Sequence, residues 1–250
     1  MAYISFTNNE IFVLHFAGKS KKIFKRDLFL LRDTIIQKPN NIDIVSPLTD
    51  DQIKDSVLIY QLDKNNIPYI NPLKNRNIVW KQPEKIKYVL EGLKQSNNEY
   101  CLILDGNDTV IVKDLANLIE IFNTYNKKIV FNASIETYPA MQIEKVTPKS
   151  KIGPFNNLNS GIVFGKTNDL IDFYEKVSDF YDSSNKDNPT EQYYIRNVYK
   201  DYTDEITIDN ECKLFQVYFK NFVRKENDDF VFDDFPQSFT PYLEPFKKDK

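Results

Sequence analysis

Over the first half of the chain, short apolar runs alternate with segments whose apolar residues return every three or four positions. Period two or a continuous short run reads as strand, and period 3.6 reads as helix. Ile11 to Phe16 is the first expected strand. Phe24, Leu28, Leu31 and Ile35 then fall on one helical face, which Pro39-Asn40-Asn41 ends. Ile42 to Val45 is a second strand. Thr49-Asp50-Asp51-Gln52 has capping-box spacing and opens a helix with Ile53, Val57 and Tyr60 on its inner face. Pro68 to Ile70 is a short third strand. Pro83 suits a first helical turn, and Ile86, Val89, Leu90 and Leu93 form the stripe behind it. Tyr100 to Leu104 is a buried strand. Asp114 is placed to cap a helix facing inward through Leu115, Leu118, Ile119 and Phe122. Strands at Ile129 to Ala133 and Gly161 to Phe164, a helix with Leu170, Phe173, Tyr174 and Val177 inward, and late strands at Ile206 to Ile208 and Leu214 to Phe219 complete the pattern.

Strand–helix alternation of this kind predicts an α/β fold, with a mostly parallel central sheet and helices on both faces. The less regular second half reads as a mixed extension of the same sheet. At 250 residues the chain suits one large domain, here drawn over residues 1–225, followed by a charged, aromatic tail over 226–250 that wraps the domain or hangs loose. A hydrophobic content of 41% supplies a real core and excludes wholesale disorder. A net charge of −3 leaves no basic field for a nucleic-acid backbone. The absence of any apolar run of 18 residues argues against a membrane span. No basic leader precedes the first apolar run, so the default expectation is a cytoplasmic protein with Cys101 and Cys212 as free thiols. Neither G-x-G-x-x-G nor G-x-x-x-x-G-K-[ST] occurs, which argues against the ordinary dinucleotide fold and the P-loop. The single histidine, His15, excludes a histidine cluster.

Candidate chemistry concentrates at Cys101-Leu-Ile-Leu-Asp105-Gly106-Asn107-Asp108. An apolar strand runs into two carboxylates three residues apart, at the carboxyl end where open α/β sheets bind ligands. A tight turn at Gly106 would aim both at one cation. Carboxylate oxygens suit Mn²⁺ or Mg²⁺, ions that leave positions for water and phosphate. The competing reading is an ordinary Asp-Gly-Asn-Asp turn that binds nothing.

The blocks around this turn resemble the glycosyltransferase domain of the lysyl hydroxylases and the related collagen hydroxylysine glycosyltransferases. The resemblance runs from about Pro83 to about Phe219. It rests on Glu84-Lys85-Ile86-Lys87, Leu102-Ile-Leu-Asp105-Gly-Asn-Asp108, Val130-Phe-Asn-Ala-Ser-Ile-Glu136-Thr-Tyr138-Pro139, Leu158-Asn159-Ser160-Gly161, Thr190-Glu191-Gln192 and Ile208-Asp209 with Phe215-Gln216. It implies a GT-A-like nucleotide-sugar fold and a hexose transfer from a UDP-sugar to a hydroxyl acceptor, hydroxylysine or galactosyl-hydroxylysine of collagen-like protein. Asp105 and Asp108 would hold Mn²⁺, with Mg²⁺ as the alternative. Lys85 would lie near the nucleotide, or be an exposed helix lysine. Asn159, Ser160 and Gly161 would pass under the donor sugar, or form a strand-entry turn. Glu191 and Gln192 would form the catalytic block, Glu191 as base toward the acceptor or as a holder of sugar hydroxyls. The competing reading of Glu191 is a first-turn acid behind a Thr190 cap. Tyr138 would stack on a sugar or acceptor face, and Trp80 on the uracil, unless either is plain packing.

The family's third metal ligand is a histidine in its C-terminal segment, and no histidine stands there in this chain. Val13-Leu14-His15-Phe16-Ala17-Gly18-Lys19-Ser20-Lys21 looks like the His-x-Gly-x-x-Lys element of glycogenin-like transferases at the opposite end of the chain. His15 is then either a metal ligand, with Lys19 or Lys21 on phosphate, or a structural strand residue. Two other functions stay open: a GT-A transferase for another glycan or protein acceptor, and a UDP-sugar-binding accessory module without turnover.

Overall fold

The computed structural model describes residues 11–16, 34–135, 155–217, 224–226 and 229–231, with Tyr138, Thr147 and Lys149. In chain order it contains β1 (Val13–His15), β2 (Ile42–Val45), α1 (Asp50–Lys54), α2 (Val57–Lys64), α3 (Lys85–Gln95), β3 (Tyr100–Leu104), β4 (Thr109–Ile111), α4 (Leu118–Asn123), β5 (Ile129–Ser134), β6 (Asn157–Lys166), α5 (Thr167–Ser183), α6 (Glu191–Tyr199), β7 (Ile206–Asp209), β8 (Phe215–Val217) and the hairpin β9 (Arg224–Glu226) and β10 (Asp229–Val231).

The main sheet has the order β2-β3-β6-β5-β7. Apart from Asp43 and Lys166 its strand residues are buried, and they alternate their side chains between two cores. Cys101, Ile103, Ile129, Phe131 and Val163 face α3, α5 and α6, whose apolar stripes include Ile86, Val89, Phe173, Tyr174 and Ile195. Leu102, Leu104, Val130, Ile162 and Phe164 face the other way, onto Leu58 and Leu62 of α2 and Leu118 and Phe122 of α4. Helices therefore cover both faces, as the alternation of apolar runs requires. The sheet is mixed, however, and the expectation of a mostly parallel one is corrected. β2–β3 and β5–β7 pair in parallel, while β6, at the centre, runs antiparallel to both β3 and β5.

A second sheet, β4-β1-β8, lies beside the first. β1 is its middle strand, antiparallel to β4 and parallel to β8.

Local chemistry explains most boundaries. Thr49 and Gln52 form the expected capping box. The helix it opens stops at Asp55, because Ser56 starts a new one by accepting the Ile59 amide at 3.1 Å. Tyr60 faces out as a result, 44% exposed. Pro83 sits in a 3-10 turn, Gln82–Glu84, that leads into α3. Pro68 to Ile70 reduces to one bridge, Val45 to Ile70. Asp114 accepts the Ala116 amide at 2.9 Å, holding a turn rather than capping a helix, and α4 begins only at Leu118. Of the expected early helix, Phe24, Leu28 and Leu31 lie outside the described residues, and Ile35 is exposed and non-helical. The strand expected at Gly161 to Phe164 is longer in both directions, so Asn159-Ser160-Gly161 lies within β6 and not in an entry turn.

Candidate functional site

β3 ends at Leu104, and the next four residues turn sharply. The Asp105 carbonyl accepts the Thr109 amide at 3.1 Å and the Thr109 hydroxyl at 2.6 Å. Gly106 is required here by space: a Cβ would lie 2.3 Å from Leu48 Cδ1 and 2.7 Å from Ser46 Oγ. The turn brings Asp105 and Asp108 to one side, as the spacing predicts, and hands the chain to β4.

Register then delivers the histidine. His15 pairs with Thr109 across β1 and β4, and the Phe16 amide donates to the Asp108 carbonyl at 2.7 Å. His15 Nε2 stands 3.4 Å from Asp108 Oδ2 and 3.6 Å from Asp105 Oδ2. One ligand atom from each of the three residues lies within 4.8 Å of the others. The other ring nitrogen, Nδ1, is 2.9 Å from Asn159 Oδ1, which also accepts the Gly161 amide at 2.9 Å. An amide oxygen can only accept, so Nδ1 carries the proton and Nε2 presents its lone pair toward the carboxylates. His15 packs directly on Gly161, where a Cβ would meet the imidazole Cε1 at 2.1 Å. One imidazole nitrogen and two carboxylate oxygens form a donor set that could hold a divalent cation.

β6 supplies the floor through an irregular register. Phe131 pairs with Val163 and Asn132 with Asn159, so Ser160, Gly161 and Ile162 have no opposite residues on β5. Such a bulge turns side chains out of the ladder. Ser160 donates its backbone amide to Gln192 Oε1 at 3.0 Å, and its hydroxyl lies 3.1 Å from Glu191 Oε1. The Gly161 carbonyl accepts the Asp105 amide at 2.8 Å, which ties the bulge to the acidic turn.

Glu191 opens α6, behind a Thr190 side chain that accepts the Gln192 amide. The capping reading of Thr190 is therefore correct, yet Glu191 is buried and far from an ordinary first-turn acid. Its Oε1 faces Lys85 Nζ at 3.2 Å and Ser160 Oγ, and its Oε2 takes Gln82 Nε2 at 2.9 Å and Thr190 Oγ1 at 3.2 Å. Lys85, the first residue of α3, is buried and not an exposed helix lysine; it also contacts Asp105 Oδ1.

Charge is held tightly in this cluster. Burial works to discharge Lys85, but Asp105 and Glu191 outweigh it and hold the ammonium above its usual range. Burial also works to raise Glu191, but Lys85 and the hydrogen bond from Gln82 keep it below the usual carboxylate range. Asp105 is pushed up, first by burial; Lys85 opposes this and the neighbouring Asp108 charge adds to it. A cation held between Asp105 and Asp108 would remove that repulsion.

The remaining expected residues sit at the rim. Trp80 is half-buried and donates its indole N–H to Gln82 Oε1 at 3.1 Å. Tyr138 is 60% exposed and reaches the cluster through its backbone carbonyl, which accepts from Gln192 Nε2. Lys19, Lys21, Glu136 and Pro139 lie outside the described residues.

Sequence reasoning missed two residues. Gln82 carries a weak signal in hindsight, since it stands three positions before Lys85 and in a 3-10 turn such residues align. Arg196 is fully buried and donates to the Leu158 carbonyl through Nε at 3.1 Å, fixing the strand just before the bulge. A cation inside the apolar stripe of Tyr194, Ile195, Val198 and Tyr199 was its available sign.

Among families, the model of the PLOD GT domain matches residues 82–227. That span includes Lys85, Asp105, Asp108, the β6 bulge and Glu191, and it leaves His15 and Trp80 outside. No curated protein matches the chain.

Proposed function

The chain belongs to the family of the PLOD GT domain, the glycosyltransferase domain of lysyl hydroxylase, and on that premise we propose that it transfers a hexose from a UDP-sugar to a hydroxyl acceptor with Mn²⁺ at His15, Asp105 and Asp108. Hydroxylysine or galactosyl-hydroxylysine of a collagen-like chain is the acceptor the family suggests. The observation that carries the reading is the convergence of those three ligands at the tip of β3. A divalent ion there would neutralise the diphosphate as it departs.

The chain's own groups do the rest. Asp105 and Asp108 hold the metal end of the donor, and Asn159 keeps the Nε2 lone pair of His15 aimed there. Lys85 places a permanent positive charge between the metal carboxylates and Glu191, where it stabilises negative charge built up by the leaving group. The bulge of Ser160 and Gly161 forms the floor for the sugar, pinned by Gln192. Trp80 stacks on the base at the rim, and Tyr138 on the acceptor side. Glu191 takes the acceptor proton, and because its oxygens already meet four donors, the acceptor hydroxyl must replace one of them.

That same saturation favours a second reading, a module that binds the UDP-sugar without turnover. One pair of measurements separates them. UDP should raise the melting temperature only with Mn²⁺ present, and Asp105→Asn should abolish the effect; stabilisation that survives this substitution removes the metal assignment. UDP release from UDP-sugars with Mn²⁺ and a hydroxylysine peptide supports the transferase. Binding without release supports the module.

A further inference from the structure

The contact from Trp80 to Glu191 has an arrangement that ordinary packing does not require. The indole N–H is a donor only, and an ionised carboxylate is an acceptor only. Gln82 bridges them with Oε1 on Trp80 Nε1 at 3.1 Å and Nε2 on Glu191 Oε2 at 2.9 Å. The two neighbours dictate which end of the amide is oxygen and which is nitrogen. The bridge spans 109 residues of sequence between Gln82 and Glu191, and it runs from a half-buried indole to a buried carboxylate.

The turn that holds Gln82 leads directly into Lys85, three residues on. Gln82 takes one oxygen of Glu191 and Lys85 the other. Together they fix the plane of the carboxylate. On the outer side the Trp80 ring rests on Tyr88, with centroids 5.9 Å apart, and Tyr88 is anchored by its hydroxyl to Glu84 at 3.0 Å.

We propose that Gln82 is a positioning residue that couples Trp80 to Glu191, so that whatever occupies the Trp80 face sets the orientation of the carboxylate. The coupling itself stands on geometry alone; its consequence for turnover rests on the glycosyltransferase reading. A nucleoside diphosphate stacked on Trp80 would thereby be sensed at the acceptor side before any acceptor arrives.

Trp80 is the only tryptophan in the chain, so intrinsic fluorescence reports this indole alone. Glu191→Gln puts an amide where Lys85 and Ser160 claim the oxygen, so an N–H donor faces the donor of Gln82. Emission from Trp80 should therefore shift in Glu191→Gln. It should shift in Gln82→Met as well, and the double variant should match Gln82→Met, because the link is already cut. Circular dichroism identifies any variant that fails to fold; Gln82→Ala, at an exposed position, then serves in place of Gln82→Met, and Glu191→Asp in place of Glu191→Gln. An unchanged Trp80 emission in a folded Glu191 variant, or additive shifts in the double variant, overturns the coupling. In the turnover arm, Gln82→Met should lower kcat at least about tenfold while the UDP dissociation constant with Mn²⁺, read by calorimetry, changes by less than about two-fold. An unchanged kcat overturns the positioning role. If the wild-type chain turns over no UDP-sugar, the transferase reading has failed and the fluorescence arm still decides the coupling.

Discussion

At the scale of residues, the site depends on close approach as much as on charge. Gly161 has room for no side chain because the His15 imidazole lies against it. Gly161→Ala should displace the imidazole, lower Mn²⁺ affinity about tenfold or more by calorimetry, and cost about 1–3 kcal/mol of stability in urea. An unchanged Mn²⁺ affinity would mean that His15 contributes no ligand. The convergence of Asp105 and Asp108 on one side of the turn was legible beforehand, because a strand followed by carboxylates three apart is a local pattern. The burial of Lys85 and the four donors on Glu191 were not, since each needs partners from α3, β6 and α6 at once. His15 stood between two readings for the same reason: it is brought beside the two aspartates only through the register of β1 on β4, and register has no signature within three residues.

At the scale of elements, the strands and helices that face a core were plain from periodicity, and their directions were not. Nothing in Asn157–Lys166 says that it runs against its neighbours, and the reversal of β6 is what made the sheet mixed. Its bulge is likewise invisible in a run of small polar and apolar residues. The junction between β7 and β8 shows how the two sheets are held together. Buried Asp209 accepts the amides of Lys213, Leu214 and Phe215 at 2.8, 2.7 and 2.7 Å, and the Tyr125 hydroxyl as well. Burial still pushes its carboxyl upward against those donors. Whichever way its amide turns, Asp209→Asn puts an N–H against at least one backbone amide that can only donate. It should destabilise the fold by about 2 kcal/mol. Because β8 pairs with β1, it should also weaken Mn²⁺ binding about tenfold, measured by calorimetry on the folded variant; a loss of stability without a loss of affinity would show that β8 does not set the position of His15.

At the scale of the whole molecule, the small sheet closes the site with a strand from the start of the sequence. Removing residues 1–16 would strip β1 from between β4 and β8 and leave two unpaired edges. The truncated chain should lose measurable Mn²⁺ binding and form higher-mass species in light scattering, while the main-sheet helices keep their circular dichroism signal. Retained Mn²⁺ binding would assign the ion elsewhere. The central position of β1 also bears on what an occupied site would do for the fold. About ninety residues separate His15 from Asp105, and β8, which pairs with the other edge of β1, comes from Phe215–Val217, so the three side chains meet only when distant stretches of the chain have docked. An ion held by the triad would therefore staple those stretches together, its affinity coupled to the assembly of the small sheet.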